Sequence, residues 1–206
     1  MTLNAQVEAK ITVAGMNFAQ VSLVEDEGSI ASSIKLPAGL AGSLTTRGSA
    51  TAGTITSADH NILDTDKLAI FWEGDTPGSR YNVTVSSHTS TTILFTGGVG
   101  DNLPLQDTAV VVGRQYTISE SFVGNKVSVL AVQADQRVSV SFEKADGTVE
   151  LDKDLAAGGL FSYSVSSDLA SPFADPTATV EHIDVANGST VECNFQMGIL
   201  YNSSTV

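Results

Sequence analysis

The side chains of this 206-residue chain that could move protons or hold a metal are three histidines, one cysteine and a scatter of carboxylates. His60, His88 and His182 stand far apart, none at metal-ligand spacing from a second His or from Cys193, so each reads as a surface or turn histidine. Ser, His and Asp are all present, but no Gly-x-Ser-x-Gly elbow presents a nucleophile. Gly97-Gly98-Val99-Gly100 lacks the Lys-Ser/Thr pair that clamps phosphate and opens no helix, so it is a turn. Asp64 with Asp66, and Asp152 with Asp154, are spaced to share a proton or a cation, as in a glycosidase. A glycosidase also needs aromatic platforms along a cleft, and aromatic residues make up only 6% of the chain, with a single Trp. The best binding candidate is Trp72 after Phe71, with Arg80-Tyr81 on the following strand. Exposed, Trp72, Arg80 and Tyr81 would form a sugar-stacking or cation–π patch. Buried, Trp72 and Tyr81 would be a cross-strand pair that pins register, and this is the preferred reading. No catalytic residue, cofactor or metal ligand is expected.

The elements that would carry these residues are strands. Val7, Ala9, Ile11 and Val13 alternate with Glu8, Lys10 and Thr12, the period of a half-buried strand. Phe18 to Val24 follows after a turn, the acidic run Glu25-Asp26-Glu27 reads as a solvated tip, and Ile30, Ser32 and Ile34 mark a third strand. Pro37-Ala38-Gly39-Leu40-Ala41-Gly42 has linker composition and suggests a boundary, with a second near Gly113-Arg114. Between them, short β-branched and aromatic runs are separated by Gly, Asn, Asp and Pro clusters, the signature of a small barrel or sandwich. Beyond, Val123-Gly124-Asn125 reads as a hairpin connection, and Val127 to Val132 is apolar on both faces, as in a central strand. Asp146-Gly147 and Asn187-Gly188 are hairpin turn signals. Val191, Cys193, Phe195 and Met197 would face inward on the last strand, making Cys193 a small buried hydrophobe. No three-turn stretch has helical apolar spacing. The expected fold is all-β: a β-sandwich from residues 1–41 and 114–206, with an inserted small β-barrel module at 42–113.

Acidic residues outnumber basic ones 23 to 10, giving a net charge of −13. A surface of that sign repels phosphate backbones, so neither nucleic acid nor an anionic membrane is an expected partner. One cysteine allows no intrachain disulfide. The start, Met1 to Gln6, has neither a basic region nor an apolar run of a secretory leader, so synthesis in a reducing cytosol is expected. The Asn-x-Ser/Thr triplets at Asn82, Asn187 and Asn202 read as chance matches.

Residues 42 to 112 resemble a β module that recurs in virion proteins of tailed bacteriophages. The resemblance rests on Leu44-Thr45-Thr46-Arg47, His60-Asn61-Ile62, Asp66-Lys67-Leu68-Ala69-Ile70-Phe71-Trp72, Ser79-Arg80-Tyr81-Asn82 and Gly100-Asp101-Asn102-Leu103-Pro104, in that order. Departures from the pattern are Asp59 and Asn61 for glycines around His60, Thr65 for the glycine before Asp66, and Asn82 for the glycine after Tyr81. The resemblance implies a noncatalytic subunit of a phage particle, a capsid decoration or cement protein or a head–tail (neck or tail) component. It would be made in the host cytoplasm, end in the virion, form a homo-oligomer, and contact copies of itself and other virion proteins. The alternative is a carbohydrate-binding or adhesive module using Trp72, Arg80 and Tyr81.

Overall fold

The computed structural model describes residues 7–13, 16–22, 27–74, 76–164 and 170–202, with side chains from residue 32 to 201. The terminal segments 1–6 and 203–206, the tip Glu25-Asp26 and part of the 166–176 loop lie outside the described residues. The chain is all-β, as its alternation demands, and every pairing is antiparallel. The strands in order are β1 (Val7–Val13), β2 (Met16–Ser22), β3 (Glu27–Leu36), β4 (Leu40–Arg47), β5 (Gly53–Thr56), β6 (Lys67–Trp72), β7 (Gly78–His88) and β8 (Thr92–Gly100). They continue with β9 (Ala109–Val123), β10 (Val127–Ala134), β11 (Val138–Glu143), β12 (Val149–Leu155), β13 (Leu160–Ser164), β14 (Thr179–Asn187) and β15 (Cys193–Asn202). The helical content among the described residues is one 3-10 turn, Gly124–Lys126.

Six strands close on themselves. The order β9-β4-β5-β8-β7-β6 returns to β9, because Leu40–Ser43 of β4 pair with Ala109–Val112 while Leu68–Trp72 of β6 pair with Val110–Arg114. Closure removes every edge from this ring. Its interior is filled by Leu44, Ile55, Ile70, Trp72, Val83, Ile93, Phe95 and Val112.

The long strand β9 leaves the ring and continues into a second body. From Gln115 to Val123 it pairs with β14, in the order β12-β11-β14-β9, and this sheet faces a second one ordered β13-β10-β15-β3. Their inner faces share one core that includes Phe142, Phe195, Leu130, Ile183, Val140 and Cys193. Phe122, Phe142 and Phe173 meet edge-on with centroids 5.8–6.4 Å apart. A small apolar set, Ala69, Phe71 and Tyr81 of the ring with Ala186 of β14, joins the two bodies.

Four local expectations are corrected. Asn187-Gly188 is not a hairpin, because β14 belongs to one sheet and β15 to the other. The Asn187 amide instead donates to the carbonyls of Pro37 and Val191, at 2.9 and 2.7 Å, and makes a corner between sheets. The Val123–Asn125 connection likewise carries the chain from β9 to β10 in the opposite sheet. Val191 lies before β15 starts and is 53% exposed rather than inward. The Asp146-Gly147 hairpin does form, with Gly147 at φ +81° between β11 and β12. The 37–42 stretch is no linker: Leu40 opens β4, and Gly39 and Gly42 lack a Cβ where one would strike Val111 and Ile55.

Candidate functional site

The three residues of the candidate patch are buried, at 3% exposure for Trp72 and 5% for Arg80 and Tyr81, and they do not converge. The cause is a bulge. Leu68 pairs with Val83 but Ile70 with Arg80, so β7 carries an extra residue at Tyr81-Asn82. Asn82 takes it up at φ +55°, the left-handed region that Gly or Asn tolerates best, which is where the resembled pattern carries glycine. Across the bulge the faces of β7 exchange. Trp72 lines the ring interior, opposite Gly78 rather than Tyr81, with its indole N–H donating to the Thr76 carbonyl at 2.9 Å. Tyr81 joins the apolar set between the bodies. The exposed sugar-stacking platform and the Trp72–Tyr81 cross-strand pair are therefore both replaced by separate packing roles.

Arg80 is caged by carbonyls. Its Nε donates to Gly97 O at 2.6 Å, Nη2 to Gly98 O at 2.6 Å and Nη1 to Asp101 O at 2.8 Å. Gly97, Gly98 and Gly100 wrap the guanidinium with φ of +76°, +79° and +111°, a path closed to most side chains. Burial lowers the Arg80 pKa from its ordinary value, with Asp101 opposing. Asp101 itself accepts from Ser79 N at 3.2 Å, and Arg47 Nε donates to Leu103 O at 3.1 Å. The Leu-Thr-Thr-Arg, Arg-Tyr and Gly-Asp-Asn-Leu-Pro runs thus meet at one end of the ring and hold its loops together.

The carboxylate pairs part company. Asp64 bonds His88 Nδ1 at 2.7 Å while Asp66 pairs with Arg114 Nε at 3.0 Å. Asp154 goes to Arg137, while Asp152 lies near enough to Tyr81 to act on its titration. Burial first, then Asp152, pushes the Tyr81 pKa well above the usual tyrosine range. His60 is buried, with Nδ1 accepting from Ile62 N and Nε2 against Thr92 O, so both ring nitrogens are committed to backbone. Cys193 is buried, and desolvation pushes its thiol up to about 11, far from the range of a reactive cysteine. Among the described residues no three His, Cys, Asp or Glu side chains cluster as metal ligands.

The densest polar site is one that sequence reasoning missed. Arg137, between β10 and β11, reaches across to the β6–β7 hairpin of the ring. Nη1 donates to Trp72 O at 3.1 Å and Glu73 Oε1 at 2.6 Å, Nη2 to Gly78 O at 3.0 Å and Asp154 Oδ2 at 2.5 Å, and Nε to Asp154 Oδ1 at 3.0 Å. All five donors are used, and the guanidinium lies 5.3 Å from the Phe71 ring centroid. Burial alone would lower the Arg137 pKa, but Asp154 and Glu73 outweigh it and raise it. A second seam links Asn82 Nδ2 to Glu143 at 2.5 Å and Gln115 Nε2 to Asn82 at 2.7 Å. Nothing in the residue types around Arg137 marks that role in the sequence.

No family model matches the chain, and no curated protein matches it. Two solved structures share loose similarity. One is the CBM22-1–GH10 portion of endo-1,4-beta-D-xylanase 10B from Clostridium thermocellum complexed with xylohexaose, at 14% identity and TM-score 0.27, over 83% of this chain and 30% of that one. The chain thus spans less than a third of that xylanase chain. The other is infectious bursal disease virus, Gx strain, at 10% identity and TM-score 0.24, over 87% of this chain and 71% of that one. Scores this low carry no argument about function. No helix among the described residues is long and apolar enough to cross a membrane.

Proposed function

We propose that this chain is a noncatalytic structural subunit of a tailed-phage particle, a decoration or cement protein or a head–tail component, working through repeated protein–protein contacts in the virion. The observation that carries the reading is where the charged side chains go. Arg137 spends three of its five hydrogen bonds fastening one body to the other, Arg80 is enclosed by loop carbonyls, and Asp64, Asp66 and Asp154 are drawn to separate partners, His88, Arg114 and Arg137. Such a molecule keeps its shape, which a repeated contact needs, because a symmetric interface repeats any error of shape in every copy. The order of the motif runs in the ring supports the phage assignment. The acidic surface supports protein partners over nucleic acid or anionic membrane. The glycan alternative needs an aromatic platform in solvent, and Trp72 is inside the ring.

Self-association tests the proposal. Size-exclusion chromatography with mass photometry on the purified chain is expected to give a discrete homo-oligomer, and a glycan array no signal. A strict monomer at micromolar concentration refutes it.

A further inference from the structure

Asn187-Gly188 is the one Asn-Gly pair in the chain, and the fold uses it as a corner between sheets. In such a pair the glycine nitrogen, with no side chain of its own residue in the way, can attack the Asn carboxamide carbon. The N–Cγ bond forms as the Cγ–Nδ2 bond breaks. Ammonia leaves with the proton taken from the glycine N–H, and a succinimide remains. Water then opens that ring on either side, giving aspartate or isoaspartate.

The structure holds both reacting groups out of this path. Asn187 is 2% exposed. Its Nδ2, the leaving group, donates to Pro37 O and Val191 O, and its Oδ1 accepts from Ser189 N at 2.9 Å. Gly188 N, the nucleophile, donates to Arg137 O at 2.8 Å, so the hydrogen it must lose is already engaged. Space is equally short: a Cβ on Gly188 would lie 2.7 Å from Phe71 Cδ1, and the Asn187 backbone packs directly on Gly113. These confining groups come from both bodies. Phe71 belongs to ring strand β6, Gly113 lies opposite Ala69 where β9 pairs with β6, and the Arg137 side chain clamps the sandwich to the ring.

We propose that Asn187-Gly188 is a deamidation site guarded by the junction between ring and sandwich, reactive only in molecules whose junction has opened, and that the reaction makes the opening permanent. The second half follows from the product. A carboxylate at position 187 brings no donor to Pro37 O and Val191 O, so reclosing would bury an unpaired charge against two acceptors. Isoaspartate also adds a backbone methylene, where Phe71 leaves Gly188 no room. Exposed Asn61 and Asn102 are followed by Ile62 and Leu103, whose side chains hinder the same attack, so they serve as internal controls.

The test incubates the full chain at pH 8 and follows residue 187 by peptide mass spectrometry. Conversion in the folded chain is expected to be at least ~100-fold slower than in the same chain unfolded in urea. Arg137→Ala removes the clamp but keeps every backbone partner of the corner, and under folding conditions it should convert at least ~10-fold faster than the parent. Asn61 and Asn102 should not respond to that substitution. In converted molecules, separated by anion exchange, the Gly39 and Gly188 amides that bond across the corner should exchange freely while β5 and β8 of the ring stay protected. Folded and unfolded chains that convert within ~10-fold of each other overturn the guarding. An Arg137→Ala rate equal to the parent's overturns the junction as the guard, and converted molecules with a protected Gly39 amide overturn the permanence.

Discussion

If the Arg137 clamp holds the ring to the sandwich, Arg137→Ala will loosen that junction by a calculable amount. The guanidinium is 15% exposed, so its bonds are only partly screened. The Glu73 contact adds little, because that carboxylate is 76% exposed. The bidentate Asp154 contact is worth about 1 kcal/mol at its half-buried position. The bonds to Trp72 O and Gly78 O contribute about 1 kcal/mol each, after allowing for water reaching the two carbonyls once the side chain is gone. The expected loss is about 3 kcal/mol, or about 6–12 °C in Tm for a chain of this length. Glu73→Ala is the control and should cost less than about 0.5 kcal/mol. Arg137→Lys should recover less than half, since an ammonium cannot reach both carbonyls and grip Asp154 bidentately. Urea unfolding followed by Trp72 fluorescence reads all three variants, because Trp72 lies in the ring and its carbonyl is a clamp acceptor. Hydrogen exchange at Lys67–Trp72 and Gly78–His88 reports the junction locally. An Arg137→Ala loss under about 1 kcal/mol, or one no larger than that of Glu73→Ala, would refute the clamp.

Arg80→Met keeps the length of the side chain but leaves the Gly97, Gly98 and Asp101 carbonyls without their donor. It should cost about 3 kcal/mol or more by urea unfolding, with faster exchange confined to residues 97–103. The Cys193 thiol should resist a colourless-to-yellow disulfide reagent at pH 8 until the chain unfolds. The same burial sets a pH dependence. The folded chain keeps the thiol proton up to about 11, whereas the unfolded chain releases it near 9.0, so stability is full below pH 9 and declines as pH rises toward 11. The decline should amount to roughly 2–3 kcal/mol and be smaller by that much in Cys193→Ala, measured by urea unfolding at each pH. An equal decline in both proteins would remove Cys193 from the account.

Most strands were legible because half-buried strands alternate, and the Asp146-Gly147 turn lies where turn chemistry puts it. What alternation does not report is which sheet a strand joins. Asn187-Gly188 satisfies the local chemistry of a hairpin, yet the Asn187 side chain is recruited by Pro37, 150 positions away, and the chain crosses between sheets. The directions of Trp72 and Tyr81 were hidden for a related reason, since a single bulge at Asn82 exchanges the faces of β7, and its one trace in the sequence is that the resembled pattern carries glycine there. Glycines near the boundaries were visible but misread. Gly113 is small because Asn187 backbone packs directly against it, so its lack of a side chain reflects contact between the bodies and not a flexible joint. Arg137 was illegible because its acceptors are backbone carbonyls on distant strands, and a carbonyl acceptor leaves no trace in residue type.

Edges bring the pieces together. The ring has none, since β9 joins both β4 and β6. At one flank of the sandwich the edge strand β12 carries Asp152, Lys153 and Asp154, charges that discourage a further strand, and Lys153 is drawn over the Phe161 ring of β13 at 5.0 Å. At the opposite flank β3 runs for ten residues, Glu27–Leu36, and its Lys35 pairs with Glu192 just before β15. The two flanks of one sandwich therefore treat an incoming strand differently, one repelling it with charge and the other leaving a long edge beside Ile34, Ile118 and Tyr116. A charge added at the open flank should therefore count where one removed from the charged flank does not: Ser33→Lys, at an exposed position of β3, should weaken self-association, whereas Asp152→Ser, which leaves Lys153 and Asp154 on β12, should leave it unchanged. Equal effects from the two substitutions, read by mass photometry, would mean that the flanks are equivalent and that the asymmetry of their edges plays no part in assembly.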